Sequence, residues 1–69
     1  MPIYLAEPNT TLTVRRITGN DKVKAHLENL GFVEGSEVML LSCIDENAIV
    51  KIKGVSLAIS HELAKRILV

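Results

Sequence analysis

Between positions 30 and 35 the chain reads Leu30-Gly31-Phe32-Val33-Glu34-Gly35, with a helix pattern before it and a strand pattern after it. Val23, Leu27 and Leu30 fall at i, i+4 and i+7 and form one apolar stripe of a helix. Gly31 follows that stripe directly, where a left-handed helix stop requires a residue without Cβ. Gly35 then precedes Ser36-Glu37-Val38-Met39-Leu40, which reads as a strand. A helix that stops, turns a corner on Phe32 and feeds a strand predicts a small β-barrel with a helix inserted in it. Barrels of this kind are more often binding scaffolds than enzymes.

The chain has 69 residues, enough for a single domain over 1–69. Per-residue scaling puts the stability of such a domain at roughly 3–10 kcal/mol, so burial by a partner or a second copy would matter to it. The hydrophobic fraction is 48%, with one Phe, one Tyr and no Trp. Most of the apolar content is therefore aliphatic and β-branched, which favours strands. Eight basic residues balance eight acidic ones. A domain that holds nucleic acid through its phosphates shows a basic excess, and this one has none.

No apolar run approaches a membrane span. The start, Met1-Pro2-Ile3-Tyr4-Leu5, lacks the basic n-region and long apolar segment of a signal peptide. Cys43 is the only cysteine, so no internal disulfide can form. These features predict a cytoplasmic protein.

Along the chain, Pro8-Asn9 marks a turn. Leu12-Thr13-Val14-Arg15 alternates as a strand, and the alternation slips at Arg16-Ile17, where a bulge or bend would return Ile17 to the core. Asn20 or Asp21 caps a helix over about 21–30. Ser36 to Ile44 is the second strand, and Asp45-Glu46-Asn47 its hairpin connection. In the third, Ala48 to Lys53, Lys51 and Lys53 point outward and Val50 and Ile52 inward. Gly54-Val55 turns into a fourth strand with Leu57 and Ile59 inward. Ser60 caps a short helical turn at 61–65, and Arg66 to Val69 closes the set. The fold class is mainly β, a small, partly open SH3-like barrel of about five strands with one inserted helix. Its expected core is Leu12, Val14, Ile17, Val23, Leu27, Leu30, Phe32, Val38, Leu40, Val50, Ile52, Leu57, Ile59, Leu63, Ile67 and Val69.

Taken in order, Val14-Arg15-Arg16-Ile17, Leu27 through Gly35, Val50-Lys51-Ile52-Lys53-Gly54, Leu57-Ala58-Ile59 and Leu63 through Val69 resemble the FeoA family, ferrous iron transport protein A. The resemblance implies a small cytoplasmic SH3-like accessory protein of ferrous iron uptake. Its partner would be FeoB, the membrane Fe(II) transporter with a cytoplasmic GTP-binding domain, whose GTPase cycle it would modulate. It implies no catalytic residue and no cofactor. Asn9 stands where relatives often have Gly, and Glu34 where Pro is common. Two alternatives stay open: a regulatory module like the C-terminal domain of iron-dependent repressors, and a small metal-binding protein.

No phosphate-cradling G-x-x-x-x-G-K-[ST] loop occurs, so the chain is not itself a nucleotide hydrolase. His61-Glu62 is followed by Lys65, not His, so the helical zinc-protease motif fails. His26 lies off the stripe of its helix, and the ordinary reading of both histidines is solvent exposure. Cys43 reads as a small buried or half-buried residue. Arg15, Arg16, Lys51, Lys53, Lys65 and Arg66 read as solvated faces and guarded edges, or as one basic patch for an acidic or headgroup surface. On the second strand, Met39 and Leu41 alternate with core positions Val38 and Leu40, and Ile49 joins them on the outer side. This outer face is either covered by the helix or the N-terminal arm, or it docks a partner. The candidate partner-binding residues are Met39, Leu41, Ile49 and Lys51, rimmed also by Glu37. No homo-oligomer is specified, although an aliphatic edge would permit one.

Overall fold

A computed structural model describes residues 1–69. Its strands are β1 (Thr11–Thr13), β2 (Arg16–Ile17), β3 (Glu37–Ile44), β4 (Asn47–Ile52), β5 (Val55–Ser60) and β6 (Ile67–Leu68). The helices are α1 (Asp21–Leu30) and α2 (His61–Ala64), and a 3-10 turn spans Ile3–Leu5. One sheet has the order β1-β3-β4-β5, and β2 pairs β6 in a second.

The strand count exceeds the expected five because the first strand breaks in two, as its slipped alternation predicts. Val14 N–H donates to Ser36 O at 2.9 Å, and one residue later Arg15 N–H donates to Leu68 O at 2.8 Å. The chain thus leaves one sheet and joins the other within a single peptide. Val14 and Ile17 both reach the core across this corner, 1% and 8% exposed.

α1 starts where Asn20 accepts the Val23 N–H at 2.9 Å through its side chain. It ends in a Schellman motif. Gly31 adopts φ 106°, its N–H donates to Glu28 O, and the Phe32 N–H reaches back to Leu27 O. A Cβ on Gly31 would lie an ordinary 3.5 Å from Ile52 Cδ1, so the space accepts a methyl and the backbone does not. Gly31→Ala is therefore expected to cost about 1–2 kcal/mol through the left-handed conformation alone, measured by urea denaturation.

Two-residue turns link β3 to β4 and β4 to β5. In the second, Lys53 and Gly54 have φ 52° and 79°, the signature of a type I′ turn. Lys53 is a poor choice for the first of these positions. Lys53→Asn supplies the favoured Asn-Gly pair and is expected to stabilise by about 0.5–1 kcal/mol, read as a higher melting temperature.

The core cluster holds Val14, Ile17, Leu27, Phe32, Val38, Leu40, Val50, Ile52, Ile59 and Ile67, all expected, with Leu12, Val23, Leu57, Leu63 and Val69 packed half-buried against it. Leu30 departs from expectation at 37% exposed. The Schellman turn brings Phe32 back toward Leu27, both fully buried, and leaves Leu30 at the rim beside exposed Val33. Ile3, Ala48 and Ala64 join the core without having been assigned to it. Ile3 enters because the N-terminal arm is pinned: Val69 N–H donates to Met1 O at 2.8 Å, and Pro2 bridges Leu68.

Candidate docking face

β3 pairs β4 with Val38 opposite Ile52, Met39 opposite Lys51 and Leu40 opposite Val50. The register then slips, and Ser42, not Leu41, stands opposite Ile49. Leu41 is the extra residue of a β-bulge, which reverses the in-out alternation of the strand beyond it. Cys43 thereby comes opposite Ala48, and Ile44 opposite Asn47. Cys43 is nonetheless exposed, against the expectation of partial burial. It lies next to the hairpin tip, where Ile44 through Asn47 are all exposed, and its Sγ donates a weak hydrogen bond to Tyr4 O at 3.9 Å.

Before the bulge, the outer face forms a straight cross-strand row. Thr11 faces Met39, Met39 faces Lys51, and Lys51 faces Ser56. The neighbouring row joins Ser42, Ile49 and Ala58. Met39, Leu41 and Ile49 are half-buried and Lys51 is exposed. An open groove of about 330 Å³ lies along this face, lined by Thr11, Ser36, Glu37, Val38, Met39, Lys51, Lys53 and Gly54. Neither helix nor the 3-10 turn contributes a residue to it. Of the four candidates, Met39 and Lys51 line the groove, Ile49 lies one row away, and Leu41 sits in the bulge beside them. Thr11 and Lys53 line the groove in addition to the expected residues. Thr11 extends the first strand by one residue, and the pairing of Leu12 with Val38 sets it beside Met39.

The electrostatics are simple. The one ion pair of the chain joins Lys65 Nζ to Glu62 Oε1 at 3.1 Å. That hydrogen bond and charge hold the Glu62 carboxyl below its ordinary range. Its small stabilising effect is present above the ordinary carboxylate range and is lost as the pH falls below that range through the lowered value. Lys51, Lys53 and Glu37 carry free charges around the groove. The basic residues do not form one patch: Arg15 and Arg16 line a separate depression of about 270 Å³ beside β6, on the other sheet.

His26 is exposed on α1. His61 packs against Tyr4 with the rings tilted by 52° and their centroids 4.3 Å apart, and no group of three or more His, Cys, Asp or Glu side chains gathers to hold a metal ion. No helix is long and apolar enough to cross a membrane.

The FeoA domain model matches residues 1–69, the whole chain. The chain belongs to the FeoA domain family. A crystal structure of an iron uptake regulatory protein, FeoA, is 26% identical and superposes with TM-score 0.85, covering 96% of this chain and 88% of that one. FeoA of Stenotrophomonas maltophilia, crystallised with zinc and described as a prokaryotic SH3 domain protein, is also 26% identical, with TM-score 0.82 and coverage of 99% and 87%. A manganese-dependent transcriptional repressor shares the fold at TM-score 0.86 and 17% identity, this FeoA domain spanning 39% of its length. No curated protein sequence matches the chain.

Proposed function

We propose that this FeoA domain is a non-enzymatic, cytoplasmic accessory protein of ferrous iron uptake. It docks on the cytoplasmic GTP-binding portion of a FeoB-type Fe(II) transporter and modulates its GTPase cycle. The observation that carries the reading is the open groove on the outer face of the four-stranded sheet, to which no helix or 3-10 turn residue contributes. Half-buried Met39 and Ile49 lie there, with half-buried Leu41 in the adjoining bulge, beside a groove edged by the unpaired charges of Lys51, Lys53 and Glu37. An apolar centre with a charged rim is the ordinary anatomy of a protein interface, and methionine adapts to a partner's contour. Family membership supplies the link to iron transport, and relatives described as iron uptake proteins support it.

The test is co-purification of the chain with the transporter, followed by the GTPase rate with and without it. A complex and an altered rate are expected. No complex and an unchanged rate at high concentration would overturn the proposal. The repressor-like fold supports a second reading, a regulatory module; it predicts recovery of a DNA-binding protein in place of the transporter.

A further inference from the structure

The four-stranded sheet ends at β5, and that edge has no partner inside the molecule. Beyond the β4 ladder, no backbone hydrogen bond of a turn or loop involves residues 54–59. The edge is also unguarded. Val55-Ser56-Leu57-Ala58-Ile59-Ser60 contains no charge, no proline and no bulge, although exposed edges ordinarily carry one of these to prevent pairing. The opposite edge, β1, is only three residues long. The β2–β6 ribbon carries Arg16 and is bridged by Pro2.

Strand geometry decides which groups of β5 are free. Ile52 and Val55 flank a two-residue turn and form a hydrogen-bonded pair. Val55, Leu57 and Ile59 therefore direct their backbone groups to β4, and Ser56 and Ala58 direct theirs away from the molecule. Both are exposed and both are small.

We infer that β5 pairs antiparallel with β5 of a second copy of this chain, about a two-fold axis perpendicular to the sheet at Leu57. Two facts select a second copy as the occupant. First, the edge is self-complementary. With Leu57 opposite Leu57, Val55 meets Ile59 and Ser56 meets Ala58, so apolar residues meet apolar ones on the inner face and small ones meet on the outer. Second, the chain has no net charge to repel its copy, and no charged side chain sits on the strand itself. The junction makes about four inter-chain hydrogen bonds, from Ser56 and Ala58 of each copy. It extends the outer row from Thr11, Met39, Lys51 and Ser56 into Ala58 and Ile49 of the second copy. Both docking grooves then lie on one side of a continuous sheet.

Sedimentation of the full chain over a concentration series tests this. A monomer–dimer equilibrium is expected for the wild type. In Ser56→Lys/Ala58→Lys, lysines face each other across the junction, and the dissociation constant is expected to rise by at least about tenfold, with an unchanged far-UV circular dichroism spectrum. Amide hydrogen exchange on the wild type needs no variant. Ser56 and Ala58 amides exchange freely in dilute solution and gain protection as concentration rises, whereas Val55, Leu57 and Ile59 stay protected throughout. A wild-type chain that remains monomeric at millimolar concentration would overturn the inference. So would a dimer that persists in the folded double variant, or protection at Ser56 and Ala58 that ignores concentration.

Discussion

Phe32→Ala is expected to abolish the cooperative thermal transition of this protein. Phe32 is the only phenylalanine, it is fully buried, and it is the largest side chain in the core. Its position is set by the helix stop, because its own N–H closes the Schellman turn on Leu27 O at 2.9 Å. Truncation leaves a cavity with little chance to collapse, since Leu27 beside it is held in the last turn of α1. Substitutions of this kind cost about 3–5 kcal/mol. Against a total of roughly 3–10 kcal/mol for a chain of this length, that is from about a third to all of the margin. Phe32→Leu, which keeps most of the volume, is expected to melt cooperatively at a lower temperature. Circular dichroism melts decide the matter: a Phe32→Ala transition lowered by less than about 10 °C would show that the core repacks around the loss.

Met39→Asp/Leu41→Asp is expected to abolish docking on the transporter's cytoplasmic portion and to leave the fold in place. Met39 lies in the outer row between Thr11 and Lys51, Leu41 sits in the bulge that follows it, and both are half-buried. An aspartate at position 39 stands directly opposite Lys51, so the strand keeps a compatible cross-strand pair. An apolar partner surface, by contrast, would have to bury two carboxylates. Central interface residues contribute about 2 kcal/mol or more each, so the pair is worth roughly a thousandfold in affinity. Calorimetric titration against the cytoplasmic portion of the transporter, with circular dichroism of the variant, gives both readouts. Leu5→Asp is a control, because Leu5 is 61% exposed in the N-terminal arm, away from the groove. Full-strength binding by a folded Met39→Asp/Leu41→Asp variant would remove the outer face from the proposal. Its unfolding would assign these residues to the fold.

The architecture was legible wherever it depends on near neighbours in sequence. The Asn20 cap, the stop at Gly31, the facing of Lys51 and Val50, the Ser60 cap of α2 and the break between β1 and β2 all follow from residues within a few positions of one another. The candidate face was legible in part for the same reason, since Met39 and Lys51 declare their side of the sheet by alternation. Its borders were not. Thr11 and Lys53 belong to the groove only because β1 is set against β3, and because the Lys53-Gly54 turn ends beside Ser36 and Glu37.

Three features escape a reading by periodicity, two through contacts between separate elements and one through the course of the chain after the helix stop. Ile3 is a core residue because the N-terminal arm is pinned to the C-terminal strand, a pairing with no sequence pattern of its own. Leu30 obeys the helical stripe and is still exposed, because Phe32 fills the core beside Leu27. Cys43 and Ile44 take their sides from the bulge at Leu41, which exists only as a mismatch between β3 and β4. By itself, then, the sequence determined the helix, its stop, the strands and their family, because capping, turn chemistry and alternation act over short separations. The tertiary structure alone decided which outer face stays open, where the register slips and which edge stays unpaired, because each depends on which strands meet and at what offset.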